Sequence, residues 1–107
     1  MAGWFYFPYD EINTVVSASR DPSSGTAIPT GNLLGYCSYA GIALCWYTYK
    51  PMDRFIIMLA IRTGSALNVA TYDLIANNLM DKWVHVVGIW DNTNLKIRLY
   101  INGKQVS

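Results

Sequence analysis

Charged side chains are scarce in this chain. Asp, Glu, Lys and Arg make up only 14% of its 107 residues, against roughly 25% in ordinary soluble domains. The formal net charge is +1, and Lys96, Arg98 and Lys104 are scattered, not clustered. The electrostatic footprint of a nucleic-acid binder is therefore missing. Histidine occurs once, at His85, and glutamate once, at Glu11. Two cysteines and one histidine are too few for a closed zinc site. His85 has no evident nucleophile partner, so a catalytic triad has little support. Glycoside hydrolysis needs two carboxylates about 5 to 9 Å apart. Here Asp10 and Glu11 are neighbours in a turn-like run, and Asp21, Asp53, Asp73, Asp81 and Asp91 fall at strand ends, where carboxylates commonly serve turns. A non-enzymatic protein is expected. No run approaches the ~20 apolar residues of a membrane span, and the opening MAGWFYFPYD lacks a basic n-region.

Apolar and aromatic residues are abundant instead. Hydrophobic residues reach 52%, with 8 Tyr and 4 Trp, more than one small core consumes, so a neighbour covering part of the surface is expected. The length suits a single domain over residues 1–107.

Read in order, Trp4 to Tyr9 is a short aromatic strand that Pro8 ends or places at an edge. Asp10 to Asn13 reads as a turn and Thr14 to Ser19 as a β-branched strand. Arg20 to Asn32 has the Pro, Gly, Ser and Thr content of a long loop. Leu33 to Tyr39 and Ile42 to Tyr49 form a strand pair turning near Ala40-Gly41. A three-residue turn centred on Gly41 would set Cys37 opposite Cys45, leaving both a cross-strand disulfide and two separate thiols open. In the second strand Ile42, Leu44, Trp46 and Thr48 share one face and Ala43, Cys45, Tyr47 and Tyr49 the other. Arg54 to Arg62 is apolar on both faces, which marks a central, covered strand. Ala66 to Tyr72 is another strand, and Asp73 to Asp81 a loop or single helical turn. Roughly eight or nine short strands result, and no long 3.6-residue period competes. The expected class is all-β, two antiparallel sheets packed face to face.

The most informative run is Lys82 to Ser107, KWVHVVGIWDNTNLKIRLYINGKQVS. Leu95, Ile97, Leu99 and Ile101 alternate with Lys96, Arg98, Tyr100 and Asn102, the period of a half-buried strand. Trp83 to Trp90 precedes it across the turn-prone Asp91-Asn92-Thr93-Asn94. Asn102-Gly103 then supplies the two positive φ values of a type I′ turn. His85 shares a strand face with Trp83, Val87 and Ile89 and reads as a packed histidine within the sandwich.

The Trp83-Val84-His85-Val86-Val87 strand, Trp90-Asp91, the polar turn and Leu99-Tyr100-Ile101-Asn102-Gly103 together resemble the tryptophan-histidine strand and terminal hairpin of laminin G-like domains. These belong to the concanavalin A-like jelly rolls, with pentraxins and legume-type lectins. The resemblance implies a jelly-roll sandwich, incomplete here because such domains run longer, and a setting outside the cell or at a particle surface. It also implies a recognition or adhesion module that binds a glycan or a protein, with a structural module of a virion, phage particle or larger surface protein as the alternative. An oligomer or part of a larger assembly follows from either. Calcium is the candidate cofactor, held at the sandwich rim by Asp21, Asp73 and Asp91, since hard oxygen ligands suit it. Sugars bind on aromatic rings flanked by polar groups, and Tyr47, Tyr49 and Trp90 are the candidate ligand-binding residues.

Overall fold

The computed structural model describes residues 1–18, 27–37, 40–49, 51–63 and 66–107. Along the chain run β1 (Ala2–Tyr6), α1 (Tyr9–Ala18), β2 (Ala27–Cys37), β3 (Ala40–Tyr49), β4 (Phe55–Thr63), β5 (Ala66–Asp73), β6 (Trp83–Asp91), β7 (Lys96–Ile101) and β8 (Lys104–Gln105). They form two four-stranded sheets, ordered β1-β6-β7-β8 and β2-β3-β4-β5, and every pairing is antiparallel. The expected two-sheet antiparallel sandwich is thus present. One sheet is a meander of successive strands, whereas the other recruits β1 from the far end of the chain.

The alternation of each strand decides which residues lie between the sheets. Phe55, Ile57, Leu59 and Ile61 of β4 point inward beside Leu44 and Thr48 of β3, and Val84, Val86, Leu99 and Ile101 face them from β6 and β7. Phe55 stacks on Trp46 at 5.1 Å between ring centroids and meets Phe7 at 4.9 Å. On the reverse side of β4, Ile56 and Ala60 are buried as well. The strand is central in its sheet and apolar on both faces, with buried residues on each, as its sequence predicts. At the middle of the sandwich the sheets come closest over Gly88. A Cβ there would lie 2.7 Å from Leu59 Cδ1, so the absence of a side chain on β6 makes room for Leu59.

The terminal hairpin also follows its sequence. Asn102 and Gly103 have φ of 52° and 82°, the left-handed pair of a type I′ turn. Ile97, Leu99 and Ile101 turn inward, but Leu95 does not. It has φ 52° and is 72% exposed, because the strand begins at Lys96, opposite Asp91, and Leu95 closes the turn before it.

Three further expectations are corrected. Residues 10–18, read as a turn and a strand, belong to α1. Asp10 and Glu11 occupy its first turn, where carboxylates favour the helix dipole. The Asp81 carboxylate accepts the Tyr9 N–H at 2.9 Å, Thr14 Oγ1 donates to the Asp10 carbonyl at 2.8 Å, and Val16 is buried one turn after the half-buried Ile12. Tertiary capping and this i, i+4 apolar pair outweigh β-branched propensity. Second, the loop expected over residues 20–32 gives way to β2 at Ala27, while positions 20–26 lie outside the described residues. Pro29 fits because β2 is an edge strand with a register shift between Ala27 and Thr30. Third, Cys37 pairs with Gly41 and Cys45 with Asn32. The reversal falls before Gly41, not around it, so the cysteines are four residues out of step, roughly 13 Å at 3.3 Å per residue. That exceeds the ~7 Å Cα reach of a disulfide.

Gly88→Ala is expected to destabilise the fold by about 1–3 kcal/mol through overpacking, and Leu59→Ala by about 2–5 kcal/mol through the cavity it leaves. In urea titrations the double variant should cost clearly less than the sum, since the new methyl enters the vacated space. Strict additivity would show that the two sheets do not meet at this point.

Candidate functional site

The residues of β1 and β6 that face away from the core form a cluster of rings. Phe5, Val84 and Val86 point inward, so their neighbours in sequence point out. The β1–β6 register sets Trp4 opposite His85, Tyr6 opposite Trp83 and Ala2 opposite Val87. Trp4 is 63%, Trp83 65% and Tyr6 45% exposed. The Trp4 and His85 rings lie 4.9 Å apart at a 44° tilt, and those of Tyr6 and Trp83 5.7 Å apart at 58°. Two cross-strand ring pairs thus stand side by side on one sheet face.

The next strands add polar groups beside the rings. Val87 pairs with Tyr100 and Ile89 with Arg98, and Tyr100 pairs with Gln105, its hydroxyl donating to Gln105 Oε1 at 3.5 Å. Arg98 reaches Asp91 at 3.4 Å. The strand that carries His85 is pinned at the same level, because His85 N–H donates to Asn102 Oδ1 at 2.9 Å and Asn102 N–H to the His85 carbonyl at 2.8 Å. His85 therefore lies on the outer face against Trp4, not within the sandwich. A ring platform with a hydrogen-bonding margin can hold a ligand that has one apolar face and a hydroxylated rim.

The residues expected to bind ligand are distributed otherwise. Tyr47 and Tyr49 lie on the outer face of the other sheet, in edge contact at 5.9 Å, with the Arg54 guanidinium 4.1 Å above the Tyr49 ring. Burial, with Tyr49 beside it, pushes the Tyr47 phenol above its ordinary value. Trp90 has the inward parity of Val84, Val86 and Gly88 and is half-buried opposite Ile97. The three do not share a surface.

Of the aspartates expected at the rim, Asp73 and Asp91 do not come together. Asp73 Oδ1 accepts the N–H groups of Phe55, Ile75 and Ala76 at 3.0–3.3 Å. Asp91 Oδ1 accepts those of Thr93 and Asn94, while Oδ2 takes the Asn94 amide at 2.9 Å. Asp73 stands beside the first residues of β4 and Asp91 beyond Gly88 at the last of β6, at opposite ends of the sandwich. Asp21 lies outside the described residues. Both carboxylates are occupied by turns, a donor set that does not fit a shared calcium ion, and among the described residues no group of three or more His, Cys, Asp or Glu is placed to hold a metal. Among them too, no helix is long and apolar enough to cross a membrane.

Sequence reasoning missed Trp4, Tyr6 and Trp83. The signal available was parity: Trp83 and His85 alternate with core valines, and Trp4 and Tyr6 alternate with Phe5 and Phe7. What no local pattern shows is that β1 pairs with β6, some eighty positions on. No family model matches the chain, and no curated protein or solved structure matches it.

Asp91 is held below its ordinary pKa first by the Asn94 side chain, then by the Asn94 backbone, with a lesser contribution from Arg98. A depressed carboxylate stabilises the fold above its unfolded value, and that contribution is lost as pH falls through the lower folded value. Carboxyl NMR titration should therefore place the Asp91 midpoint below that of a free aspartate. Asn94→Ala should raise it more than Arg98→Ala does; the reverse order would make the ion pair the dominant cause.

Proposed function

We propose that this chain is a non-enzymatic recognition domain of the laminin G-like kind, and that it binds glycan on the outer face of the β1-β6-β7-β8 sheet. The observation that carries this reading is the exposure of Trp4, Trp83 and Tyr6 together on one sheet face. Large aromatic side chains are ordinarily drawn into cores, and an exposed apolar patch of this kind marks an interaction surface. Sugar rings stack on such faces through their C–H groups, and Arg98, Tyr100 and Gln105 are placed to meet their hydroxyls. The carboxylates of Asp73, Asp81 and Asp91 accept hydrogen bonds from backbone amides, which favours binding without hydrolysis. The hairpin at Asn102-Gly103 supports the jelly-roll kinship. A role at a particle or cell surface accords with glycan recognition.

The structural-module reading draws on a different observation. The outward side of the other sheet is apolar as well, with Ile56, Met58 and Ala60 beside the exposed Leu67 and Val69.

On a glycan array the chain should retain neutral oligosaccharides. Trp4→Ala and Trp83→Ala should each weaken retention at least about tenfold, about 1.4 kcal/mol, whereas Tyr47→Ala and Tyr49→Ala should leave it unchanged. Loss in the tyrosine variants alone would move the site to the opposite sheet. Absence of any glycan signal would favour the structural module, and hydrolysis lost in Glu11→Gln would make the protein an enzyme.

A further inference from the structure

We propose that β5 is a self-association edge, and that two copies of this chain join β5 to β5 in antiparallel fashion to make one continuous eight-stranded sheet. The inference is independent of glycan binding, since β5 belongs to the sheet opposite the aromatic platform.

The hydrogen-bonding direction of each β5 residue follows from the register. Leu74 N–H donates to the Phe55 carbonyl at 2.8 Å, so Phe55 and Leu74 are a hydrogen-bonded pair. From Ile56↔Asp73 to Thr63↔Ala66 the pairing continues without a shift. Antiparallel pairs alternate, so Tyr72, Ala70, Asn68 and Ala66 bond to β4. Leu67, Val69 and Thr71 then direct their N–H and C=O groups away from it, toward the open edge, and carry their side chains on the outer face.

Natural edges are guarded by charge, proline, bulges or brevity. The other three edges here have such guards. Strand β2 has Pro29 and two register shifts, β8 is two residues long and begins with Lys104, and β1 is five residues long and followed by Pro8. Strand β5 has none of them before its last residue, Asp73, whose carboxylate is taken up by the Phe55, Ile75 and Ala76 amides. It is eight residues long, in register throughout, and from Ala66 to Tyr72 it contains no charge and no proline.

A second copy fits this edge because the run is self-complementary. A two-fold axis at Val69, its midpoint, pairs Val69 with Val69 and Leu67 with Thr71, each exchanging both N–H···O bonds. No like charges meet. The axis also brings Val69, 46% exposed, against its symmetry mate and Leu67, 49% exposed, against Thr71 of the other copy.

Sedimentation equilibrium of the whole chain should show a reversible dimer. Val69→Lys, which sets two ammonium groups against each other, and Thr71→Pro, which deletes one outward N–H, should each raise its dissociation constant at least tenfold while far-UV circular dichroism stays unchanged. Trp83→Ala should leave the dimer intact. Hydrogen exchange supplies a readout that needs no variant. The amides of Leu67, Val69 and Thr71 should gain protection as concentration rises, whereas those of Asn68, Ala70 and Tyr72 are protected throughout. A monomer at every concentration overturns the proposal. So does a dimer that Trp83→Ala dissolves and Val69→Lys does not, or exchange at Val69 that ignores concentration.

Discussion

The contact between Leu59 and Gly88 sets the geometry of the whole sandwich. Leu59 is fully buried at the middle of β4, and its methyl groups occupy the volume a side chain on Gly88 would need. The two sheets can close only if β6 presents bare backbone there. Close approach lets the aromatic layer of Phe7, Phe55 and Trp46 seal one end, and Val84, Val86, Leu99 and Ile101 fill the space between. Interiors are packed to crystal density, so this one glycine fixes the sheet separation on which every neighbouring contact relies.

With the inner faces fixed, the character of the outer faces is no longer free. A strand that gives its valines to the core must give the alternate residues to the surface. In β6 those are Trp83, His85, Val87 and Ile89, and in β1 they are Trp4 and Tyr6. The ring platform is therefore built by the same alternation that builds the core, and its rings meet because the strands are paired at the level of each ring. The reverse side of β4 obeys the same rule with aliphatic residues, and its exposed margin falls on β5.

Local chemistry made some of this visible in the sequence. The Asn-Gly turn at 102–103, the alternation of Ile97, Leu99 and Ile101, and the doubly apolar run of β4 are each written in a few adjacent residues, and each has the structure its pattern predicts. Helix α1 was not legible, because Thr14, Val15 and Val16 favour strand and the groups that reverse this preference come from afar. Asp81 meets the Tyr9 amide from 72 positions away, and the Tyr9 hydroxyl donates to the Met52 carbonyl. The cysteine register failed for a related reason: where the chain reverses before Gly41 decides which residue each cysteine faces. Tyr47, Tyr49 and Trp90 were plausible by type, yet a platform is a property of two strands meeting, and the partner of Trp83 lies at the start of the chain.

The scarcity of charge acquires a structural meaning once its placement is known. Asp73 gathers the amides that begin β4 and the turn after β5, Asp81 accepts the first amide of α1, and Asp91 organises the β6–β7 turn while holding Arg98. Each of these carboxylates sits where the chain changes direction and leaves donors that a ladder cannot satisfy. Few ions remain on the faces of the sheets among the described residues, and the net charge is only +1, so long-range steering contributes little to any encounter. The proposed recognition would then rest on short-range complementarity, of rings against an apolar ligand face on one sheet and of backbone against backbone at the rim of the other. Both depend on strand register more than on composition. A fold that aligns its strands without a bulge from Phe55 to Asp73 and from Trp83 to Ile101 supplies that register.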